Sequence, residues 1–423
     1  MHNRMNMNLV YLAIIPLLGL MGMLWVVGPY QLGLTEDSLR YMSIAEHVAA
    51  GKGVAIFNRT TGGVSMPVVN FQPFFSHLLA VFRLCGVGLQ AGSLYLVSGI
   101  FFANLFMAGL LVLLATRSLG AGFVIQIMLL LDRRIFMHHI YVLTESLFVL
   151  WIQISVFCIW KYFKHASKKW LFLTYLALIC MSFTRYAATS YVFGFGLCLL
   201  LWDKNNFGTR CKKIILGTGL ALLPLGVWFG QHFLKTGKAF ERGVGGTHDM
   251  SQFEPLSVAQ SVFKNVCNYV IEIGWLPAWP ATTYIAGIVL LGVGCLLMIK
   301  RFKHRDNPIS IEEILYLLTA NYIVFLIMLW SWRHVTFMPD PYRFLMPAYY
   351  SIWIILLIVI WNITQKWPII YRGALLMLLL ACLSPQVPNT IEWAQAGHKT
   401  GLYGMPGQFS WRFANSLTWL PPQ

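Results

Sequence analysis

The chain has 423 residues, of which 58% are hydrophobic and only 11% charged, and its mean hydropathy is +0.65. A soluble domain carries roughly a quarter charged residues, so a single water-soluble core is excluded. The formal net charge of +16 invites nucleic acid as a partner. The Lys and Arg are scattered over short loops without a basic, aromatic-interleaved stripe, however, and read as orientation signals and contacts to anionic lipid headgroups.

Apolar runs of about 20 residues alternate with short charged clusters, the pattern of an all-α polytopic membrane protein. Membrane strands would instead alternate in polarity over about ten residues. The predicted spans are 8–28, 92–115, 118–132, 140–160, 170–184, 186–202, 214–234, 281–299, 314–331, 346–362 and 372–385. The first is too long for a signal-peptide core and lacks a small-residue cleavage site behind it, so it is read as retained. Segments 118–132, 170–184 and 372–385 are too short to cross upright unaided, and "PFFSHLLAVFRL" at 73–84 reads as an interfacial or re-entrant helix. Residues 1–385 are then the transmembrane domain, with loops 29–91 and 235–280 the two large ones, and 386–423 a short tail; no large soluble domain is expected. Cys158, Cys180, Cys198, Cys295 and Cys382 fall inside apolar runs, without a CxxC or Cys/His spacing, and read as small core residues.

The clusters "KYFKHASKK", "DKNNFGTRCKK" and "KRFKHRD" place 161–169, 203–213 and 300–313 on the cytoplasmic side. The long loops and most acids then share the opposite face, which is where polar chemistry is expected.

The first loop opens with "GLTEDSLRYMSIAEHVAAGKG", residues 33–53. Thr35 can cap a helix with Glu36, Asp37 and Ser38 in its first turn. Leu39, Met42, Ala45 and Val48 or Ala49 would form an apolar face opposite Arg40, Ser43, Glu46 and His47, with Gly51 or Gly53 ending the helix. Asp37 can pair locally with Arg40 at i+3. Asn70 and Gln72 precede Pro73 and the second shallow helix, so two interfacial helices could frame a groove open to lipid, suited to a substrate with a polar head and a lipid tail.

These stretches resemble the GT-C glycosyltransferases, the family of protein O-mannosyltransferases and the lipid A aminoarabinose transferase. "EDSLRYMSIAEHVAAGKG" is similar to that family's first-loop signature, with Asp37, Tyr41 and Ala45 at its Asp, Tyr and Ala positions. "FQPFFSHLLAVF" resembles its Pro-aromatic juxtamembrane helix, "VLTESLFVLW" the start of its fourth span, "FTRYA" its Arg turn between two short spans, and "YRFLMPAYY" the entry to a late span. Many relatives carry a folded C-terminal domain where only the 386–423 tail is expected here. The resemblance implies a GT-C fold in a bacterial inner membrane, with the active site facing the periplasm. The implied reaction is inverting transfer of one sugar (arabinose among the candidates) from a polyprenyl-phosphate carrier to a hydroxyl of a protein such as a pilin, of lipid A or of an envelope glycan. Neither nucleic acid nor a nucleotide-binding fold enters. A lipid-linked glycan polymerase or ligase, and a transporter or flippase of lipid-linked sugars, are the alternatives.

Such a reaction needs a base for the acceptor and cations for the leaving phosphate. By matched position Asp37 is the base, with Glu36 as its understudy or a water-facing bystander. Glu145 opens an apolar helix, where an acid is costly unless functional or paired; it orients the acceptor, binds a metal, or pairs with Arg133 or Arg134. Asp132, ahead of the two arginines, is a second acid or a local ion-pair partner. Arg185 and Arg343 lead as phosphate ligands, followed by Arg333, His334 and Arg242; for a lone Arg the alternative is snorkelling to headgroups. "RGVGGTHD" is an anion-binding backbone or a flexible loop tip. Tyr41, Asn70, Gln72, His138 and His139 are candidates for the sugar groove. His138, His139, His248 and Asp249 could join Glu36 or Glu145 around a divalent metal, though no spacing specifies such a site.

Overall fold

A computed structural model describes residues 2–27, 32–57, 65–67, 71–237, 259–266, 292–297, 299, 301, 308–333, 341–383, 388 and 391. Helices α1 (His2–Leu12) and α2 (Ile14–Val27) meet at Ala13 within one apolar run. The first loop holds α3 (Glu36–Ala49), a two-stranded antiparallel ribbon of β1 (Ala55–Phe57) and β2 (Ser65–Pro67), and α4 (Phe74–Leu84). There follow α5 (Leu89–Thr116), α6 (Leu119–Leu131), α7 (Arg133–His139), α8 (Glu145–His165), α9 (Lys168–Thr184), α10 (Ala188–Trp202) and α11 (Phe207–Thr236). The last described helices are α12 (Ile311–Arg333), α13 (Pro341–Thr364) and α14 (Ile369–Leu383).

Six of these segments are long and apolar enough to cross a membrane: Met7–Val27, Leu89–Thr116, Glu145–His165, Phe207–Gln231, Ile311–Leu329 and Arg343–Thr364. The expected span at 281–299 lies largely outside the described residues. The polytopic helical reading holds, with two local departures. The ribbon adds a scrap of sheet to a fold expected to be all-α, and the polar run after α6 forms a separate short helix, α7.

The helix order sets the packing. α8 lies between α9 and α5, α5 packs on α6, and α13 runs through the middle with Leu345, Met346, Tyr349, Tyr350 and Ile354 buried. α11 turns Ile215, Leu223, Val227 and Leu234 outward, as a helix facing hydrocarbon does, since lipid tails are as apolar as Leu. Close approach of α5 and α6 depends on Gly109: a Cβ there would collide with the Gln126 amide, which donates to the Leu12 carbonyl at 3.0 Å. At one end of the bundle Asp203 accepts from Tyr162 (2.9 Å), Lys213 (2.7 Å) and Asn205 (2.5 Å), which ties α8 to the α10–α11 turn. Burial would raise the Asp203 carboxyl, but these hydrogen bonds outweigh it and hold the group below its usual value.

α3 forms where the sequence predicts. Thr35 and Ser38 make a reciprocal capping box, with Ser38 N–H donating to Thr35 Oγ1 (3.2 Å) and Thr35 N–H to Ser38 Oγ (2.9 Å). The expected polar face does not face water, however. Ser43 and His47 are buried, and Glu46 pairs with Arg83 of α4 at 3.1 Å. α4 and β1 pack against α3, and that cover is what the isolated helical pattern could not show.

Candidate active site

Two backbone segments far apart in sequence place the acids together. Gly33 N–H donates to the Ile140 carbonyl (2.8 Å) and Val142 N–H to the Gly33 carbonyl (3.1 Å), a parallel bridge between Gly33 and Tyr141. Each chain then runs four residues into the first turn of a helix, reaching Asp37 in α3 and Glu145 in α8. Both carboxylates therefore sit at helix N-termini, where the aligned peptide dipoles favour negative charge.

Two arginines arrive from elsewhere. Arg185 ends α9 in an extended conformation, at the C-terminal pole that favours a cation. Arg343 stands in the first turn of α13, where the helix dipole opposes it, so its position depends on the acids it meets. Pro347, one turn on, has no N–H to give to the carbonyl of residue 343, while Tyr322 of α12 donates to the adjacent Phe344 carbonyl at 2.5 Å.

Together they form one chain of charge. Asp37 Oδ2 lies 2.6 Å from Arg343 Nη2; Arg343 Nε donates to Glu145 Oε1; and Arg185 Nη1 lies 2.6 Å from that same Glu145 oxygen. The Glu145 side chain is fully buried, those of Arg343 and Arg185 are 12% and 16% exposed, and that of Asp37 is 22% exposed. The cluster is thus rooted in a buried acid that holds both guanidiniums, and it opens outward through Arg343 to a reachable carboxylate. Arg185 also donates to Thr144 Oγ1 (3.1 Å), which lies 3.3 Å from the Tyr41 hydroxyl. Burial, then the nearby Asp37 and Glu145 carboxylates, push the Tyr41 hydroxyl well above its usual range, so it stays a neutral donor. Its ring packs edge-on against Phe71 and Phe75, with centroids 5.2 and 5.5 Å away.

Of the residues singled out in the sequence, Asp37, Glu145, Arg185, Arg343 and Tyr41 come together. The partners of Glu145 are Arg185 and Arg343, brought from distant helices, where the sequence offered its neighbours Arg133 and Arg134. Asp37 meets Arg343, while Arg40 lies over the Phe71 ring at 5.3 Å. Gln72 is buried at the start of α4, beside Phe71, and its Nε2 has no partner among the described residues. Asp132 caps α7 through the Arg134 and Ile135 N–H groups (3.0 and 3.1 Å) and accepts from Trp353 Nε1 (3.0 Å), which makes it a brace between α7 and α13. His138 and His139 are buried beneath the head of α8 instead of lining a groove. Their Nδ1 atoms meet the carbonyls of Arg134 and Ile135 at 2.6 and 2.8 Å. Burial lowers the His139 imidazole to about 4, leaving it neutral. Asn70, His334, Arg242, His248 and Asp249, and the side chains of Glu36 and Arg333, lie outside the described residues. Among the described residues no three His, Cys, Asp or Glu side chains group as metal ligands.

The sequence reading missed Thr144, Tyr322, Trp353 and the buried Asn104. Only Asn104 carried a signal, as an amide within the apolar run "FFANLF". An apolar cavity of about 500 Å³ lies between α12 and α13, beside Phe263, Tyr316, Thr319, Ile323, Ile352 and Leu356. Ile352 is nine residues from Arg343, half a turn out of phase, so the cavity opens on the opposite side of α13 from the charged chain.

Residues 96–236, about a third of the chain and including Glu145 and Arg185, match the family described as dolichyl-phosphate-mannose-protein mannosyltransferase. A comparison with curated protein sequences finds no match. In shape the chain is similar to ArnT of Cupriavidus metallidurans bound to undecaprenyl phosphate, with a TM-score of 0.52 and 14% identity, over 83% of this chain and 59% of that one. The fold is the GT-C fold. The apo state of the same ArnT gives a TM-score of 0.41 at 14% identity, over 82% of this chain and 76% of that one. The chain spans about three fifths of the undecaprenyl-phosphate-bound ArnT. Within the GT-C fold of this chain, the paired acids and arginines stand where the first loop meets the heads of α8 and α13.

Proposed function

We propose that this chain is an inverting glycosyltransferase that moves one sugar from a polyprenyl-phosphate carrier to an acceptor hydroxyl on the periplasmic face of a bacterial inner membrane. The observation that carries this reading is the continuous chain Asp37–Arg343–Glu145–Arg185 at a membrane-helix terminus. It supplies both functions the reaction needs, a reachable carboxylate and a pair of guanidiniums. Asp37 takes the proton from the acceptor hydroxyl. The acceptor oxygen then attacks the anomeric carbon from the face opposite the phosphate, and the bond from that carbon to the phosphate oxygen breaks. The charge left on the carrier phosphate falls to Arg185 and Arg343, whose planar forks suit phosphate. Glu145 does no proton chemistry in this scheme; it holds both arginines in one orientation, a pre-organisation that costs nothing at the moment of transfer. The likeness to ArnT with undecaprenyl phosphate and the match to a mannosyltransferase family support a lipid-linked donor. Pilins, lipid A and envelope glycans are the acceptor classes.

Mass spectrometry of pilins, lipid A and envelope glycans from strains with and without the gene tests the reading. Loss of a single-sugar increment from one class, with accumulation of the sugar-charged carrier, is the expected result. An unchanged profile in all three classes, with no accumulated carrier, refutes it.

A further inference from the structure

The buried polar groups that the transfer scheme leaves unused converge below Glu145. Asn104, fully buried halfway along α5, makes three hydrogen bonds. Its Nδ2 donates to the Ser146 carbonyl (2.8 Å) and faces His139 Nε2 (3.1 Å), and its Oδ1 accepts from Gln153 Nε2 (3.2 Å). Ser146 in turn donates from its hydroxyl to the His138 carbonyl at 2.9 Å. An amide in an apolar interior is expensive unless its hydrogen bonds are made, and these all end on α7 or on the N-terminal half of α8. Ser146 is the residue after Glu145, whose carboxylate anchors both arginines.

We infer that Asn104 is a positioning residue: through Ser146, Gln153 and His139 it fixes the head of α8, and thereby Glu145, for the phosphate-binding arginines. The inference rests on the transferase reading and deepens it. The polarity of the network is fixed by its far end. His139 Nδ1 meets the Ile135 carbonyl at 2.8 Å and so carries the proton, which leaves Nε2 as the acceptor that Asn104 Nδ2 needs. Turning the Asn104 amide over would set an oxygen against the Ser146 carbonyl and a donor against Gln153 Nε2. The titratable groups around His139 are His138 on its own helix, Tyr350 of α13 with its ring centre 6.3 Å away, and Glu145 beyond His138; α5 presents Phe101 and Asn104.

The test uses the full chain in lipid nanodiscs, with undecaprenyl phosphate as the probe, binding read by native mass spectrometry and thermal midpoints recorded in parallel. Asn104→Leu is expected to raise Kd about tenfold, the scale of a small misplacement transmitted from outside the site. Asn104→Asp separates positioning from packing. The new carboxylate cannot donate to a neutral His139, but one proton shared between the two restores that contact. Relative to wild type at the same pH, which cancels the titration of the probe, its Kd should be raised about tenfold at pH 8 and by less at pH 5.5, where the His139 contact is restored and the Ser146 contact is not. Arg343→Ala is run alongside. If it abolishes binding while both Asn104 variants bind like wild type at both pH values, or lose only thermal stability, the positioning role is overturned and the phosphate site stands. If wild type does not bind the probe, or Arg343→Ala leaves binding unchanged, the phosphate reading falls and the positioning role with it.

Discussion

Asp37→Asn probes the proposed base with the least disturbance to the fold. The substitution keeps shape and removes one charge from a pair whose Asp37 side chain is 22% exposed and whose Arg343 side chain is 12% exposed. Arg343 keeps its contact to Glu145 when Asp37 is neutralised, so no buried charge is left unpaired, and the thermal midpoint should move little. Turnover should fall by about a hundred- to ten-thousandfold, the range for loss of a general base. Carrier binding should move the other way. A phosphate taking the outer edge of Arg343 comes within about 5 Å of the Asp37 carboxylate, and at an effective dielectric of about 20 the repulsion is about 3 kcal/mol. Removing it should tighten undecaprenyl-phosphate binding about a hundredfold. Binding is read by native mass spectrometry in nanodiscs, and turnover on the sugar-charged carrier that accumulates in membranes of the gene-deleted strain. Retained transfer would refute the base assignment. Weakened binding with an unchanged thermal midpoint would refute the placement of Asp37 against the phosphate.

The other residues give separable outcomes. Arg185→Lys keeps the charge but loses the guanidinium contact to Thr144 Oγ1 and Glu145, and carrier affinity should fall about tenfold, the worth of one charge-assisted hydrogen bond; an unchanged Kd in the nanodisc titration would remove Arg185 from the phosphate site. His139 gives a pH dependence of defined sign. Its folded value is about 4 and its unfolded value about 6.5, so between them the unfolded chain binds the extra proton, and stability declines as pH falls from about 6.5 towards 4, by about 3 kcal/mol over the whole window. Thermal midpoints from pH 7.5 to 4.5 should show that decline, and His139→Gln should flatten it. Gly109→Ala should lower the midpoint at every pH, because its methyl displaces the Gln126 amide from the Leu12 carbonyl, an overpacking cost of about 1–3 kcal/mol.

The parts of the fold that were legible in the sequence are those fixed by local rules. The long spans follow from run length. The start of α3 follows from Thr35 and Ser38, because a capping box is written within four residues. The cost of an acid opening an apolar helix made Glu145 conspicuous, but its partners were out of reach: the local rule offered Arg133 and Arg134, while the charges arrive from residues 185 and 343. Asp37 shows the same limit, since an i+3 arginine was visible and Arg343, some 300 residues on, was not. Asn104 was readable as a polar residue in hydrocarbon, yet nothing in its own helix names Ser146 or His139. The burial of Ser43 and His47 depends on α4 and β1 covering α3, which helical periodicity does not encode.

The distribution of these charges along the chain has a mechanical consequence. Arg343 is placed against the dipole of its own helix, so its position is set by Asp37 and Glu145, and each acid lies four residues beyond the Gly33–Tyr141 bridge, in the first turn of its helix. One main-chain bridge therefore sets the spacing of both acids, and the acids set the arginine. A carrier phosphate entering between Arg343 and Asp37 competes with Asp37 for the guanidinium while Glu145, fully buried, keeps its hold. The phosphate thus loosens the outer carboxylate and leaves the inner one in place. On the proposed reaction this ties the freeing of the base to occupancy by the donor, so that the carboxylate meant for the acceptor's proton is released when there is a sugar to receive the attack.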